Sequence, residues 1–96
     1  VKLTYHKAVQ TEVDEACEWY DGRKEHLGDE FFAEARRMLE AIAVNPQAFP
    51  LASLGRRQAH LKRFPYTIFY RVHSDRVRIL SIRHDKRHPD YGVERR

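Results

Sequence analysis

The stretch Arg56–Arg87, RRQAHLKRFPYTIFYRVHSDRVRILSIRHDKR, decides how this chain folds. It reads as three consecutive strands. His60, Leu61, Lys62 and Arg63 lead into Phe64-Pro65, a turn from which the chain restarts as Tyr66–Val72. That run is rich in β-branched and aromatic side chains, which suit a pleated, half-buried surface. His73–Arg76 is a short polar turn and Val77–Arg83 the next strand, so the last two strands pair as an antiparallel hairpin. Alternation then sorts the faces. It directs Leu61, Ile68, Tyr70, Leu80 and Ile82 towards a core, and gathers His60, Lys62, Thr67, Phe69, Arg71, Ile79, Ser81 and Arg83 on the other face. The second set is too apolar for an idle solvent face and too basic for a core. Surfaces of that mixed kind meet partners.

Outward from this stretch, Val1–His6 alternates well enough for a strand. Val9, Val13, Ala16, Cys17 and Tyr20 have helical spacing, and Asp21-Gly22 is a plausible stop. A second helix is expected from Gly28 or Asp29 to Val44, with Phe31, Phe32, Ala35, Met38, Leu39 and Ile42 as its buried stripe. Glu30, Glu34, Arg36, Arg37 and Glu40 form its wet side, and Asn45-Pro46 ends it. Gln47–Gly55 is a loop anchored by Phe49, Leu51 and Leu54, and Asp85–Arg96 a polar tail. The order is β-α-α-β-β-β. It predicts a two-layer α+β domain spanning residues 1–96, a helical hairpin packed on a mainly antiparallel twisted sheet.

A chain of 96 residues, 42% hydrophobic and 33% charged, suits one soluble globular domain. No apolar run is long enough to span a bilayer and no signal-peptide core is visible, so a cytoplasmic protein with no membrane partner is expected. The single cysteine, Cys17, excludes an intramolecular disulfide and fits a reducing compartment. It lies on an apolar helical stripe, the place of a small buried hydrophobe and not of a nucleophile. A net charge of +4 favours an acidic partner, either nucleic acid or an acidic protein segment. Glycine-rich phosphate loops are absent and no cofactor is implied. His84 and His88 are four apart, but i,i+4 ligation needs a helix and Pro89 follows, so no metal site is expected. Glu12, Asp14, Glu15 and Glu18 are assigned to wet helical faces, and Trp19 and Tyr20 to packing.

The remaining candidate is the basic cluster of Arg56, Arg57, Lys62, Arg63, Arg71, Arg83, Lys86 and Arg87, with His60, His84 and Tyr91 among it. Metal-free RNA cleavage needs a base for the 2′-hydroxyl proton, an acid for the leaving oxygen and cations on the phosphate. Lys62, Arg83 or Arg87 could be the cations, and His60, His84 or Tyr91 the proton carriers. A basic surface that pairs with an acidic protein segment asks for no such geometry.

The ordered set of residues resembles the RelE/ParE superfamily of bacterial toxins, also called plasmid stabilisation proteins. Its carriers are Ala8, Glu15-Ala16 with Trp19-Tyr20, Phe31-Phe32, Asn45-Pro46 with Phe49-Pro50, and Arg63-Phe64-Pro65-Tyr66 with Ile68 and Tyr70. Val77–Ile82 with His84, then Lys86-Arg87 with Pro89-Asp90-Tyr91 and Arg95, complete it. The resemblance implies a growth-inhibiting toxin of a type II toxin–antitoxin pair, held in a hetero-oligomer by the C-terminal segment of a cognate antitoxin. RelE-like members cleave mRNA on the ribosome with Lys and Arg on the sheet and a C-terminal Tyr, whereas ParE-like members poison DNA gyrase. Thr67 stands where a RelE-like enzyme tends to carry an arginine. Gln58 and His60 stand near places where lysine is expected, leaving Lys62 alone. These departures favour the ParE-like reading, with a ParD-like antitoxin and no catalytic residues. The binding face for antitoxin and target is then expected at His60, Lys62, Phe69, Arg71, Ile79, Arg83, Lys86 and Arg87. A ribosome-dependent mRNA endonuclease remains the alternative, with His60, Lys62, Arg83, Arg87 and Tyr91 as its catalytic set.

Overall fold

The computed structural model describes all residues from Val1 to Arg96. Strand β1 is Leu3–Tyr5, helix α1 Val9–Asp21, helix α2 Leu27–Val44, and strands β2, β3 and β4 are Arg57–His60, Tyr66–Val72 and Val77–His84. Two single 3₁₀ turns, Pro46–Ala48 and Ser53–Gly55, lie in the loop after α2. The sheet order is β1-β4-β3-β2. β1 runs parallel to β4, and the other pairs are antiparallel. The predicted element order and two-layer α+β architecture are therefore observed.

The helices form because their apolar residues recur at 3.6-residue spacing, and they must bury that stripe. Val9, Val13, Ala16 and Tyr20 of α1 and Phe31, Ala35 and Ile42 of α2 meet Ile68, Tyr70, Val77, Ile79 and Ile82 of the sheet. Burying each large apolar side chain stabilises the fold by about 1.5–3 kcal/mol. At one end, the Tyr20, Phe31, Phe64 and Tyr66 rings pack with centroids 4.8 Å (Tyr20–Phe64) to 6.2 Å (Tyr20–Tyr66) apart. This cluster is the structural reason for the Arg63-Phe64-Pro65-Tyr66 turn. At the other end the buried Tyr70 hydroxyl donates to the Pro46 carbonyl oxygen at 2.7 Å and pins the exit of α2. Between the helices the Asp21 carboxylate accepts from the Gly28 backbone N–H at 2.7 Å, satisfying a free donor at the start of α2. Gly28 is required there, because a Cβ would overlap the Cys17 carbonyl oxygen.

Several expectations are corrected. The β3–β4 ladder shifts register between Phe69, which pairs with Ser81, and Tyr70, which pairs with Ile79. Leu80 is the extra residue of a β-bulge. Strict alternation read through the bulge inverts the faces on its far side. Ile79, expected on the binding face, is instead fully buried in the helix-side core. Phe32 and Trp19, expected to pack, are 49% and 53% exposed, and Leu51 and Leu54 are also exposed. Only Phe49 of the three loop anchors reaches the core cluster. β2 ends at His60, so Lys62 and Arg63 lie in the following turn.

Glu34, expected on the wet side of α2, is buried at 8% exposure. Its carboxylate accepts from the backbone N–H of Lys62 at 2.5 Å and of Arg63 at 3.3 Å. It thus holds the β2–β3 turn against α2. Replacing Glu34 by Ala strips both donors of their acceptor and is expected to cost about 1–3 kcal/mol in urea unfolding. A loss below a few tenths of a kcal/mol would show that the turn holds itself.

Candidate functional site

The site is built on the strand edge that β1 leaves uncovered. β1 pairs with β4 only from Val77 to Ile79, so the outer edge of β4 lacks a strand partner beyond that point. Glu12 of α1 supplies one. Its carboxylate is 8% exposed and accepts from the Ile82 backbone N–H at 3.0 Å. The same carboxylate accepts from the Tyr91 hydroxyl and from Arg95, each at 2.6 Å. Arg95 also donates to the Leu80 carbonyl oxygen at 3.1 Å, beside the bulge. The C-terminal segment is therefore folded onto the domain. Glu12 was expected on a wet face. Its signal lay in the spacing Val9, Glu12, Val13, Ala16, Tyr20, which places a carboxylate inside the apolar stripe. Phe31, Glu34, Ala35, Met38, Ile42 repeats that pattern on α2.

Tyr91 lies between two guanidinium groups, Arg87 at 4.6 Å and Arg95 at 4.9 Å from the ring centre. Burial, then the bond to Glu12, raises its phenol above the usual tyrosine range. Arg83, His84, Arg87 and Tyr91 line one small hollow with Glu12, Glu15 and Tyr66. His84 packs edge-on to Tyr66 and its Nδ1 accepts from the Lys86 backbone N–H.

On the sheet face away from the helices, Phe69 is buried between Arg56 and Arg83, whose guanidinium carbons stand 4.6 and 4.5 Å from its ring centre. It offers no free apolar surface. Arg56 is 3% exposed and donates to the Ser53 carbonyl and hydroxyl oxygens. Burial first, then the charges of Arg83 and Arg71, push its guanidinium below its usual range. One terminal nitrogen of Arg56 and Nε of Arg83 are buried without a partner. The face therefore carries positive charge that the protein itself leaves uncompensated.

His60 stands opposite Thr67, and Thr67 opposite Arg83, in one row across three strands. Thr67 is 2% exposed, and its hydroxyl donates to Asp85 at 2.6 Å. That proton being used, His60 Nδ1 is the donor in its 2.6 Å contact with the Thr67 oxygen. The outer nitrogen of the exposed His60 is thereby set as an acceptor when the ring is neutral. Lys62 lies elsewhere, in a hollow with Glu34, Arg37 and Arg63. Lys86 and Arg87 are exposed beyond the end of β4. No group of three or more His, Cys, Asp or Glu side chains is arranged to hold a metal ion. No helix is long and apolar enough to cross a membrane.

The helix side has a different character. A groove of about 450 Å³ runs between β1, α1 and α2, lined by Tyr5, Val9, Val13, Phe32 and Leu39 among others. Phe32 and Tyr5, both about half exposed, stand at this groove.

Residues 3–89 match a family model described as the ParE toxin of the type II toxin–antitoxin system parDE. The chain belongs to the ParE toxin family. No curated protein shows significant similarity to it. Among solved structures it is similar to a chain of the chromosomal ParDE toxin–antitoxin system from P. aeruginosa. That match has 18% identity and a TM-score of 0.66, and covers 88% of this chain and 95% of the other. At that identity the likeness supports the fold alone. As a ParE-type toxin of a toxin–antitoxin system, the chain has an antitoxin as its partner. Of the residues expected on the toxin's binding face, His60, Arg71 and Arg83 share the helix-free side of the sheet, while Arg83 and Arg87 border the Tyr91 hollow. Lys62 faces α2, and Ile79 is inside.

Glu12→Ala would leave Arg95, Tyr91 and the Ile82 N–H without their shared acceptor. A loss of about 3 kcal/mol is expected in urea unfolding of the toxin. Arg95→Ala should lose less, because Tyr91 and Ile82 keep their acceptor. Equal small losses in both would remove Glu12 from its organising role.

Proposed function

We propose that this toxin arrests growth in the cytoplasm by binding and poisoning DNA gyrase, with its antitoxin of the ParD type. The condition of the residues that a ribonuclease would use carries this reading. Tyr91 holds its proton, bonded to Glu12 and raised in pKa. Thr67 is buried where a RelE-like enzyme tends to have an arginine, and Lys62 faces a different hollow from Arg83, Arg87 and Tyr91. A cleavage site needs its acid, base and cations converging on one phosphate. The basic sheet face is better suited to binding than to bond chemistry.

One observation favours the alternative, ribosome-dependent mRNA cleavage. The chain of bonds from Asp85 through Thr67 to His60 fixes the His60 tautomer, the arrangement that a general base requires. A pulse of toxin expression without antitoxin separates the two. Gyrase poisoning gives DNA breaks and filamentation with intact mRNA. Codon-phased mRNA cuts without DNA damage would reverse the order, and His60→Gln would then abolish them.

Inhibition by the antitoxin requires a segment with both acidic and apolar residues. With Ile79 and Phe69 covered, the apolar anchors have their place in the helix-side groove at Phe32 and Tyr5, and the acidic residues theirs beside Arg71 and Arg83. In calorimetric titration with the antitoxin encoded beside it, Phe32→Asp and Arg83→Glu are each expected to weaken binding about tenfold or more. Lys24→Glu, exposed between the helices, should have little effect. Equal effects at all three would mean that neither surface is where the segment docks.

A further inference from the structure

At the β3–β4 hairpin end, Arg71 and Arg78 are direct cross-strand partners. Their neighbours Val72, Val77 and Ile79 face the helices, so both arginines project from the helix-free side. Like charges opposite one another in a sheet are destabilising, and a fold with no use for them would separate or neutralise them. Here the charge is instead increased. Arg71, His73, Arg76, Arg78 and Arg96 line a hollow of about 380 Å³ with no apolar and no acidic lining residue.

The bonds these groups make leave most of their donors free. Arg71 donates to the Leu54 carbonyl oxygen at 2.8 Å, and Arg78 Nε to that of Arg96 at 3.4 Å. Arg76 pairs with the exposed Asp75 at 2.9 Å, the one carboxylate bonded to any of them. Asp90 and Glu94 lie in an adjoining hollow that Arg71 also borders. Arg95, by contrast, is matched by Glu12, whereas Arg56 on the helix-free face shares the lack of a carboxylate partner.

We infer that this hollow binds the phosphodiester backbone of a nucleic acid. Several guanidinium forks converging on one space suit phosphate oxygens, which accept paired N–H bonds. No hydrophobic side chain lines the hollow to receive an apolar anchor, which argues against a protein segment, since protein interfaces draw their affinity from buried apolar anchors. With Arg71, the row Arg83, Arg56, Arg71, Arg78 forms a basic track from the middle of the sheet to this end. The inference goes beyond the choice of cellular target, and its test contains neither gyrase nor ribosome.

Fluorescence anisotropy of the full-length toxin with a short labelled DNA duplex, and with single-stranded RNA of equal length, reads the site directly. Arg76→Gln with Arg78→Gln is expected to weaken binding about tenfold or more and to lower the log–log salt slope by about two, one for each lost phosphate contact. Lys24→Gln should leave both unchanged. An unchanged melting temperature of the double variant separates lost contacts from lost folding. Tighter binding of the duplex identifies DNA as the source of the phosphates, and tighter binding of the single strand identifies RNA. Wild-type affinity in the double variant, or displacement by poly-glutamate as effective as by unlabelled nucleic acid at equal charge, would overturn the inference.

Discussion

The Glu12 carboxylate is the constraint on which the rest of the structure depends. A helix packs on a sheet through its apolar stripe, and a charge within that stripe is costly to bury unless it is fully bonded. Three donors from three places bond it: the Ile82 N–H of β4, Tyr91 and Arg95. One side chain therefore sets the height of α1 over the sheet, closes the strand edge that β1 leaves open, and draws in the C-terminal segment. Glu34 does the corresponding work for α2, accepting from the β2–β3 turn. The helical hairpin is tied to the sheet at both ends by carboxylates as well as by its apolar surface.

Most of the architecture was legible because it follows from periodicity. The 3.6-residue stripes, the Asn45-Pro46 stop and the aromatic run Tyr66–Tyr70 each have one local solution. What stayed hidden has three physical causes. A bulge at Leu80 has no sequence mark of its own, yet it reverses the face of every residue beyond it. Ile79 was misplaced for that reason. The second cause is that a carboxylate on a helix is ordinarily solvated, so its type alone points to water. Glu12 and Glu34 occupy stripe positions, but the donors that make burial tolerable come from residues far along the chain, Ile82, Tyr91 and Arg95 for Glu12 and Lys62 and Arg63 for Glu34. The third is that Phe69 is apolar by type and covered in fact, because arginines stack on it from both sides. The family, by contrast, was readable from the ordered set of short pieces, several of which, Tyr20, Phe31, Phe64 and Tyr66, meet in one aromatic cluster that fixes their spacing.

Two surfaces of opposite character result. The helix side offers an apolar groove, and the far side of the sheet a row of guanidinium groups with few acidic neighbours. Clustered positive charge raises the folded state's energy through self-repulsion. A partner carrying negative charge relieves that cost, so the complexed form gains stability beyond the contacts at its interface. Such a face is a ready acceptor of an acidic segment.

The parallel pairing of β1 with β4 places Leu3 opposite Val77. The two strands of the sheet's parallel pair are thus separated in sequence by both helices and the two other strands. During synthesis the chain emerges from its N-terminus, and β1 has no strand to join until β4 has left the ribosome. The Glu12 bonds to Tyr91 and Arg95 wait longer still. Nascent fragments consequently lack both the closed sheet and the docked tail. The Glu12 node and the parallel strand pair therefore form only once residues beyond β4 have been made, so the domain closes as one late event and not piece by piece.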